Sequence, residues 1–500
     1  MTTRHHEVET KLEAPADAAV PPLEAIEGIA AVDAPAEHRL TATYFDTPSG
    51  ALAAAGISLR RRTGGDDAGW HLKLPVDGGR DELRLPPGRA TREVPEPLRD
   101  AARLFVRDEP LQPIAEIRTH RTVHRLRDAD ERVLVEIADD AVEARPLPSG
   151  AALSWREWEV EVVDGEREHL DAVAAVLEQA GATPAAVGSK VARLLGRDGG
   201  SRAEREAGDG SAASVLQAAL REQVAELRTR DPLVRADVEG SVHRMRVAAR
   251  RLRSLLAAFR PLLDATTAGP LRDELRWIAS LLGDARDAEV LRARLAALVA
   301  AEPVELVMGP VAQRLDDELS SRYRSAHERA VEAMRSERYL RLMDELAGFA
   351  ADPPWTAAAV DPGALRARVR RELRRLRRRA AVAQAAPAGA ARDARLHETR
   401  KAAKRARYAA EVLEPIDGRD AVRSAKAAKR VQSVLGEQHD TVIARTLLRK
   451  LGVRAHLAGE NAFGYGLLHA REQASAETLE RDAERAWARA SRKRLRRWLR

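Results

Sequence analysis

The chain has 500 residues and no cysteine, so disulfides, thiolate metal sites and a cysteine nucleophile are excluded, and its length points to two or three domains. Its formal charge of +7 conceals a division: residues 1–200 carry 25 Lys and Arg against 36 Asp and Glu, and the remainder carries 59 against 41. An acidic unit joined to a strongly basic one implies a polyanionic partner for the second.

The opening MTTRHHEVETK lacks an apolar signal core, and no apolar run approaches the ~18 residues of a membrane helix, so a cytoplasmic protein with no membrane partner is expected. Residues 1–195 read as an α+β unit of short alternating strands between Gly, Pro and Asp turns, with helical stretches near 21–30, 166–180 and 187–195. Charges recur at alternate positions: Glu7, Glu9 and Lys11; Arg60 and Arg62; His71 and Lys73; Arg80, Glu82 and Arg84; Arg121 and Arg125; Glu136 and Asp140; Glu157, Glu159 and Glu161. The opposite faces are at least partly apolar, as with Leu72 and Leu74 or Trp158, Val160 and Val162. In one strand this is the ordinary pattern of a solvated face. Repeated in seven, it predicts strands closing around a charged lumen, with carboxylates to hold divalent metal and cations to hold phosphate. His120 and His124, four apart in a strand-like stretch, do not read as metal ligands.

Residues 196–214, GRDGGSRAEREAGDGSAAS, lack periodicity and read as a flexible linker spanning on the order of 25 Å. Residues 215–500 have helical periodicity and almost no strand signal, with a break at 352–363 that divides them into related halves of about 215–350 and 364–500. His243, Arg246, Arg250 and Arg253 are matched 154 residues later by His397, Arg400, Lys404 and Arg407. Their offsets fall within a sector of roughly 80° on a helix, so each block is an amphipathic helix with a cationic stripe. A second echo places Leu282, Gly283, Asp284 and Asp287 against Leu435, Gly436, Glu437 and Asp440. A single Arg-rich face is usually just solvated, whereas a duplicated one predicts a polyanion held between two halves. The basic runs at 366–379 and 492–500 read as solvated helix faces. Aromatic residues make up only 3% of the chain, which argues against single-stranded nucleic acid as the partner. No Walker loop, G-x-S-x-G or H-E-x-x-H is present.

Glu7-Val8-Glu9-Thr10-Lys11 resembles the ExExK signature of the CYTH family, the triphosphate tunnel metalloenzymes. Tyr44-Phe45-Asp46-Thr47-Pro48, Leu59-Arg60-Arg61-Arg62, Leu72-Lys73-Leu74-Pro75, Glu157-Trp158-Glu159-Val160-Glu161 and Ser189-Lys190-Val191-Ala192-Arg193 follow in the family's order. The resemblance implies an antiparallel eight-stranded β-tunnel that acts on a triphosphate with Mg²⁺ or Mn²⁺. Under it, Glu7, Glu9, Glu159 and Glu161 look like metal ligands, joined by Glu136 and Asp140, with Glu157 less firmly placed. Lys11, Arg60, Arg62 and Lys73 look like catalytic cations, and Arg121, Lys190 and Arg193 like substrate-binding ones.

The paired His243 and His397 blocks, with the Leu-Gly-acidic echoes, resemble the CHAD domain, a module of conserved histidines and α-helices. That resemblance implies two pseudo-symmetric bundles binding inorganic polyphosphate through His243, Arg246, Arg250, Arg253, His397, Arg400, Lys404 and Arg407. The function expected is metal-dependent hydrolysis of inorganic triphosphate or polyphosphate ends, with polyphosphate held by the helical unit. A class IV type adenylate cyclase and a non-catalytic polyphosphate scaffold are the alternatives.

Overall fold

The computed structural model describes residues 3–76, 79–88, 93–196, 211–361 and 363–499. Residues 197–210, most of the segment read as a linker, lie outside the described residues. The chain divides into two compact units, residues 1–206 with 231–238, and residues 207–230 with 239–500.

The first unit is built on strands β1 (Thr3–Glu7), β2 (Glu9–Glu13), β3 (Ala31–Val32), β4 (Ala36–Asp46), β5 (Ser58–Thr63), β6 (Gly69–Val76), β7 (Gly79–Leu85), β8 (Gln112–Arg127), β9 (Val133–Pro146), β10 (Leu153–Val162) and β11 (Thr183–Pro184). Between them lie α1 (Ala51–Ala54), α2 (Glu96–Val106), α3 (Arg167–Gln179) and α4 (Lys190–Leu194). The strands are hydrogen-bonded in the order β1-β7-β6-β5-β4-β8-β9-β10-β2-β11, with β3 paired to β8.

This corrects the closed eight-stranded tunnel expected from the sequence: the ladder is a curled, open sheet of ten strands. The cause lies in the first segment, which changes partner at Val8. Glu7 is opposite Arg80 on β7, whereas Glu9 is opposite Glu161 on β10. The far edge of β2 is met by the short β11, with Thr183 opposite Glu13 and Pro184 opposite Leu12, so no single ladder runs around the curl.

Alternation puts the apolar core on the outer face. Leu12, Ile137, Trp158 and Val160 are buried against Leu170, Val173 and Leu177 of α3. Leu59, Trp70, Leu72 and Leu83 are buried with Leu98, Ala101 and Ala102 of α2. Helix α2 is not among the helices expected from the sequence, although its buried positions recur at helical spacing after Pro95. Residues 21–30, expected to be helical, instead make isolated turns in which Ile26 N–H donates to the Leu23 carbonyl and Ile29 N–H to that of Ile26. The inner face carries an apolar patch formed by Ala42, Tyr44, Ala115, Ile117, Val142 and Ala144, on which Val191 of α4 packs. That contact places the neighbouring Lys190 among the inner charges.

The second unit is helical: α5 (Ala212–Arg235, of which residues 212–230 belong here), α6 (Ser241–Ala258), α7 (Ala265–Ala300), α8 (Val311–Arg335) and α9 (Glu337–Ala351), then α10 (Ala364–Gln384), α11 (Ala390–Glu411), α12 (Glu414–Leu457) and α13 (Phe463–Ala490). Gly418 breaks α12 near its start with a φ of 47°, a left-handed conformation natural to glycine. The two cationic stripes lie on α6 and α11, which pack together. Buried Ala248, Ala249, Ala402, Ala403 and Ala406 offer little bulk on these helices.

Candidate functional site

The curled sheet encloses a cavity of about 290 Å³ lined by Glu7, Glu9, Lys11, Arg60, Arg62, Lys73, Arg121, Glu136, Glu159, Glu161 and Lys190. Eleven of the fourteen residues assigned from the sequence to the tunnel therefore share one space. Asp140 lies behind them, fully buried. Arg193 faces elsewhere, bonded to Glu13 at 3.1 Å with its guanidinium 5.0 Å from the Trp155 ring centroid.

Charge is segregated within the cavity. At one end Arg60 and Arg62 crowd together, with Arg121 near enough to add to the repulsion. Asp67 reaches Arg62, yet burial and repulsion from Arg60 and Arg121 push its guanidinium down to about 9. At the other end burial, with Glu7, Glu9 and Glu159 nearby, pushes Glu161 up to about 7. Between the two ends the charges are paired. Lys73 donates to Glu7 at 2.6 Å, Lys11 bonds Glu159 and lies 3.4 Å from Glu9, and Arg121 clasps Asp140 through two bonds of 2.7 Å and reaches Glu159 at 2.5 Å.

Asp140, Glu157 and Glu159 each offer a carboxylate oxygen within 4.8 Å of the others, a donor set with the geometry to hold a metal ion. It is the one such group among the described residues, so Glu7, Glu9 and Glu161 do not converge in the same way. The Lys190 ammonium lies inside the set, 2.8 Å from Asp140, 2.7 Å from Glu157 and 2.7 Å from Glu159. Against the penalty of burial, these carboxylates hold Lys190 well above the ordinary lysine range. It donates a hydrogen bond to Glu159 and acts as the internal counterion of all three carboxylates. Replacing Lys190 by Met should cost about 3–5 kcal/mol, the penalty for breaking a buried pair, and millimolar Mg²⁺ or Mn²⁺ should recover part of that loss. Thermal melts with and without metal test this; a variant whose melting ignores metal would remove the triad as a cation site.

Oxygen-only donors of this kind suit Mg²⁺ or Mn²⁺. The acidic end fits a dication because Glu161 is crowded by like charges that a cation would relieve.

Glu82 and His71, given no role from the sequence, support the site. Buried Glu82 accepts from Arg84 and lies 3.0 Å from His71 Nδ1, 3.7 Å from Lys73 and 3.7 Å from Arg60. Burial outweighs the Glu82 contact and pushes His71 down to about 4, so the imidazole is a neutral prop for that carboxylate. Their shared parity with Lys73 and Arg84 was the available signal.

In the helical unit the two stripes meet. Arg246 pairs with Asp287 at 3.1 Å, and its guanidinium lies over Gly283, where an added Cβ would be 3.3 Å from Nε. Arg400 lies over Gly436 in the same way, at 3.4 Å. The Leu-Gly-acidic echo is thus explained by close approach: each glycine leaves room for a stripe arginine. Arg250 donates to the Tyr408 hydroxyl at 3.2 Å, and the Nε atoms of both Arg250 and Arg400 are buried without hydrogen-bond partners. His397 packs against His439 with centroids 4.4 Å apart and the rings tilted by 42°, whereas burial and Arg286 lower the pKa of His243. Arg407 is drawn to Glu411 at 2.6 Å and to the Tyr408 ring, and Arg253 has burial, Arg276 and Arg250 lowering its proton affinity.

Burial, followed by Arg250, Arg400 and Arg246, pushes Lys404 down to about 6. The free cluster therefore holds this amine neutral at pH 7, and a polyanion would restore its proton. Polyanion affinity is expected to be level below about pH 6 and to fall as pH rises above it, by up to about tenfold per unit. Binding titrations from pH 6 to 8 test this, and Lys404→Met should flatten the profile.

A curled sheet with a cavity of paired carboxylates and cations, and a helical unit with a cationic seam, define a protein of two modules. The chain belongs to the family that joins a CYTH domain to a CHAD domain: the family models match residues 5–195 and 218–449 respectively. Uncharacterized proteins from two strains of Mycobacterium tuberculosis are 39% identical to it over 97% of this chain and 96% of theirs. Among solved structures, PptA from Streptomyces chartreusis is 24% identical, covering 56% of this chain and 99% of that one, with a TM-score of 0.49. The CHAD domain of the plant Ricinus communis is 25% identical over 56% of this chain and 91% of that one, with a TM-score of 0.43. Among the described residues no helix is long and apolar enough to cross a membrane.

Proposed function

We propose that the N-terminal unit hydrolyses inorganic triphosphate or the ends of polyphosphate chains with Mg²⁺ or Mn²⁺, and that the helical unit binds polyphosphate. The domain architecture and the acidic triad support a phosphohydrolase-type activity on phosphate-containing substrates. The observation that carries the finer reading is the segregation of charge, with Arg62 pushed down to about 9 at one end and Glu161 up to about 7 at the other.

A triphosphate carries about four to five negative charges, and Arg60, Arg62, Arg121, Lys11 and Lys73 bind and spread them. Glu7, Glu9 and Glu161, with Glu159 and Glu136, would hold the cation, which when bound polarises a phosphoryl oxygen and lowers the pKa of an attacking water. Asp140 and Glu159 fix Arg121 from behind, and Lys190 ties α4 to the same carboxylates. Arg193, outside the cavity lining, anchors α4 through Glu13 and Trp155.

The test offers the purified full chain triphosphate, ATP, thiamine triphosphate and long polyphosphate in parallel, with and without metal. Orthophosphate released from triphosphate or polyphosphate only with metal is expected. Cyclic AMP with pyrophosphate from ATP would replace the reading with a cyclase, and polyphosphate binding without turnover would replace it with a scaffold.

A further inference from the structure

The helical halves are not equivalent where they begin. Buried Leu216, Leu220 and Leu227 of α5 correspond to buried Leu365, Val369 and Leu376 of α10, each 149 residues later. The same offset sets Glu222 against Arg371 and Glu226 against Arg375. On α10, Arg368, Arg371, Arg375 and Arg378 repeat the 0, 3, 7, 10 spacing of the central stripes, so they share one face.

That face lines a cavity of about 1000 Å³, with Arg272 of α7 and Arg405 of α11 opposite. Eight arginines and only two carboxylates, Asp264 and Glu372, border it. Buried Glu372 lies 3.8 Å from Arg405, yet its Oε2 has no hydrogen-bond partner, nor does the buried Nε of Arg272. Among the described residues, the four α10 arginines form no ion pair with a carboxylate. In the other half the equivalent of Arg405, Arg251, is satisfied by Glu411 at 2.6 Å, and Glu226 takes Arg230 at 2.8 Å. Burial, then Arg371, lowers the pKa of Arg368 against the pull of Glu372, as expected where cations outnumber carboxylates.

Arg405 follows Lys404 on α11, one residue around the helix, and it also adds to the repulsion felt by Arg253 of the central stripe. The cavity therefore adjoins the central cluster. Its four α10 cations extend over about 15 Å of helix, longer than a single phosphate requires. No aromatic side chain lines it, so bases would find nothing to stack on.

We propose that this arginine cavity, whose α10 cations have no counterpart on α5, is a second phosphate-chain site that takes the continuation of a linear polyphosphate whose other segment lies on the central cluster. The inference rests on the reading that the helical unit binds polyphosphate. The test is the full chain with Arg371→Glu and Arg375→Glu together, the charges that α5 carries at the equivalent helix positions. Binding of long polyphosphate and of tripolyphosphate is measured over a salt series, with helical content followed by circular dichroism and an Arg371→Ala, Arg375→Ala pair as the milder variant.

For long polyphosphate, Kd should rise at least tenfold, and the log–log salt slope should shrink by about 1.4, two phosphate contacts at ~0.7 each. Tripolyphosphate binding should be unchanged. An unaltered Kd and slope for the long chain overturn the inference, and so does an equal loss for tripolyphosphate, which would mark a general field effect. If mixed-sequence single-stranded DNA binds the unsubstituted chain more tightly at equal salt and loses that affinity in the variant, the ligand assignment is overturned. A full chain that binds no polyphosphate at all would instead refute the underlying reading.

Discussion

With Glu7 and Glu9 both replaced by Gln, the full chain is expected to lose at least about a hundredfold of its metal-dependent turnover, the scale of a lost electrostatic group in an active site. Gln keeps the size of each side chain and an acceptor for Lys73, which bonds Glu7 at 2.6 Å, and for Lys11, which lies 3.4 Å from Glu9. Folding should therefore survive while two charges leave the acidic end. Glu161 supplies an independent readout: freed of two like neighbours, its pKa should fall from about 7 toward the usual carboxylate range. Calorimetric titration with Mn²⁺ should show weaker binding in parallel. Turnover at the original rate in a folded variant would remove both residues from the site.

The second large effect concerns the central cluster of the helical unit. Replacing Arg246, Arg250, Arg400 and Lys404 by Ala should weaken long-polyphosphate binding by about a hundredfold or more at low salt, and should reduce the salt slope by about 3, at ~0.7 per lost phosphate contact. These side chains repel one another more than they support the helices: Arg250, Arg400 and Arg246 all act with burial to depress Lys404. Melting temperature should consequently hold or rise. The partners left behind are tolerant, since Asp287 is 56% exposed and the Tyr408 ring keeps the guanidinium groups of Arg251 and Arg407 over it. Unchanged polyphosphate affinity would mean that the seam serves another purpose.

The parity of charged residues carried most of the N-terminal site, because strand geometry converts alternation directly into a shared face. It could not show where the faces close on one another. Whether β2 meets β7 or β11 along its far edge depends on the turn of the chain at Val8, a tertiary choice with no signature in composition. Partnering was equally hidden. Lys190 was legible as a cation near phosphate, but its seat between Asp140, Glu157 and Glu159 depends on the docking of Val191 against a patch from three strands. In the helical unit, the Leu-Gly-acidic echo was readable as repetition, and only the packed helices explained its glycines. His439 went unnoticed because its counterpart in the first half, Arg286, is not a histidine, so the repeat offered no match.

The outward core of the first unit has a genetic corollary. Substitutions in its strands should sort by odd and even position into those that alter chemistry and those that alter folding, with little overlap, because Glu159 and Glu161 face the cavity while Trp158 and Val160 face α3. Loss of one codon obeys no such division. Removing Val160 would slide the rest of that strand by one place, turning Glu161 into the apolar layer and Val162 into the cavity. In a library of single-codon deletions, β10 should therefore tolerate almost none, even where the deleted residue could be freely replaced.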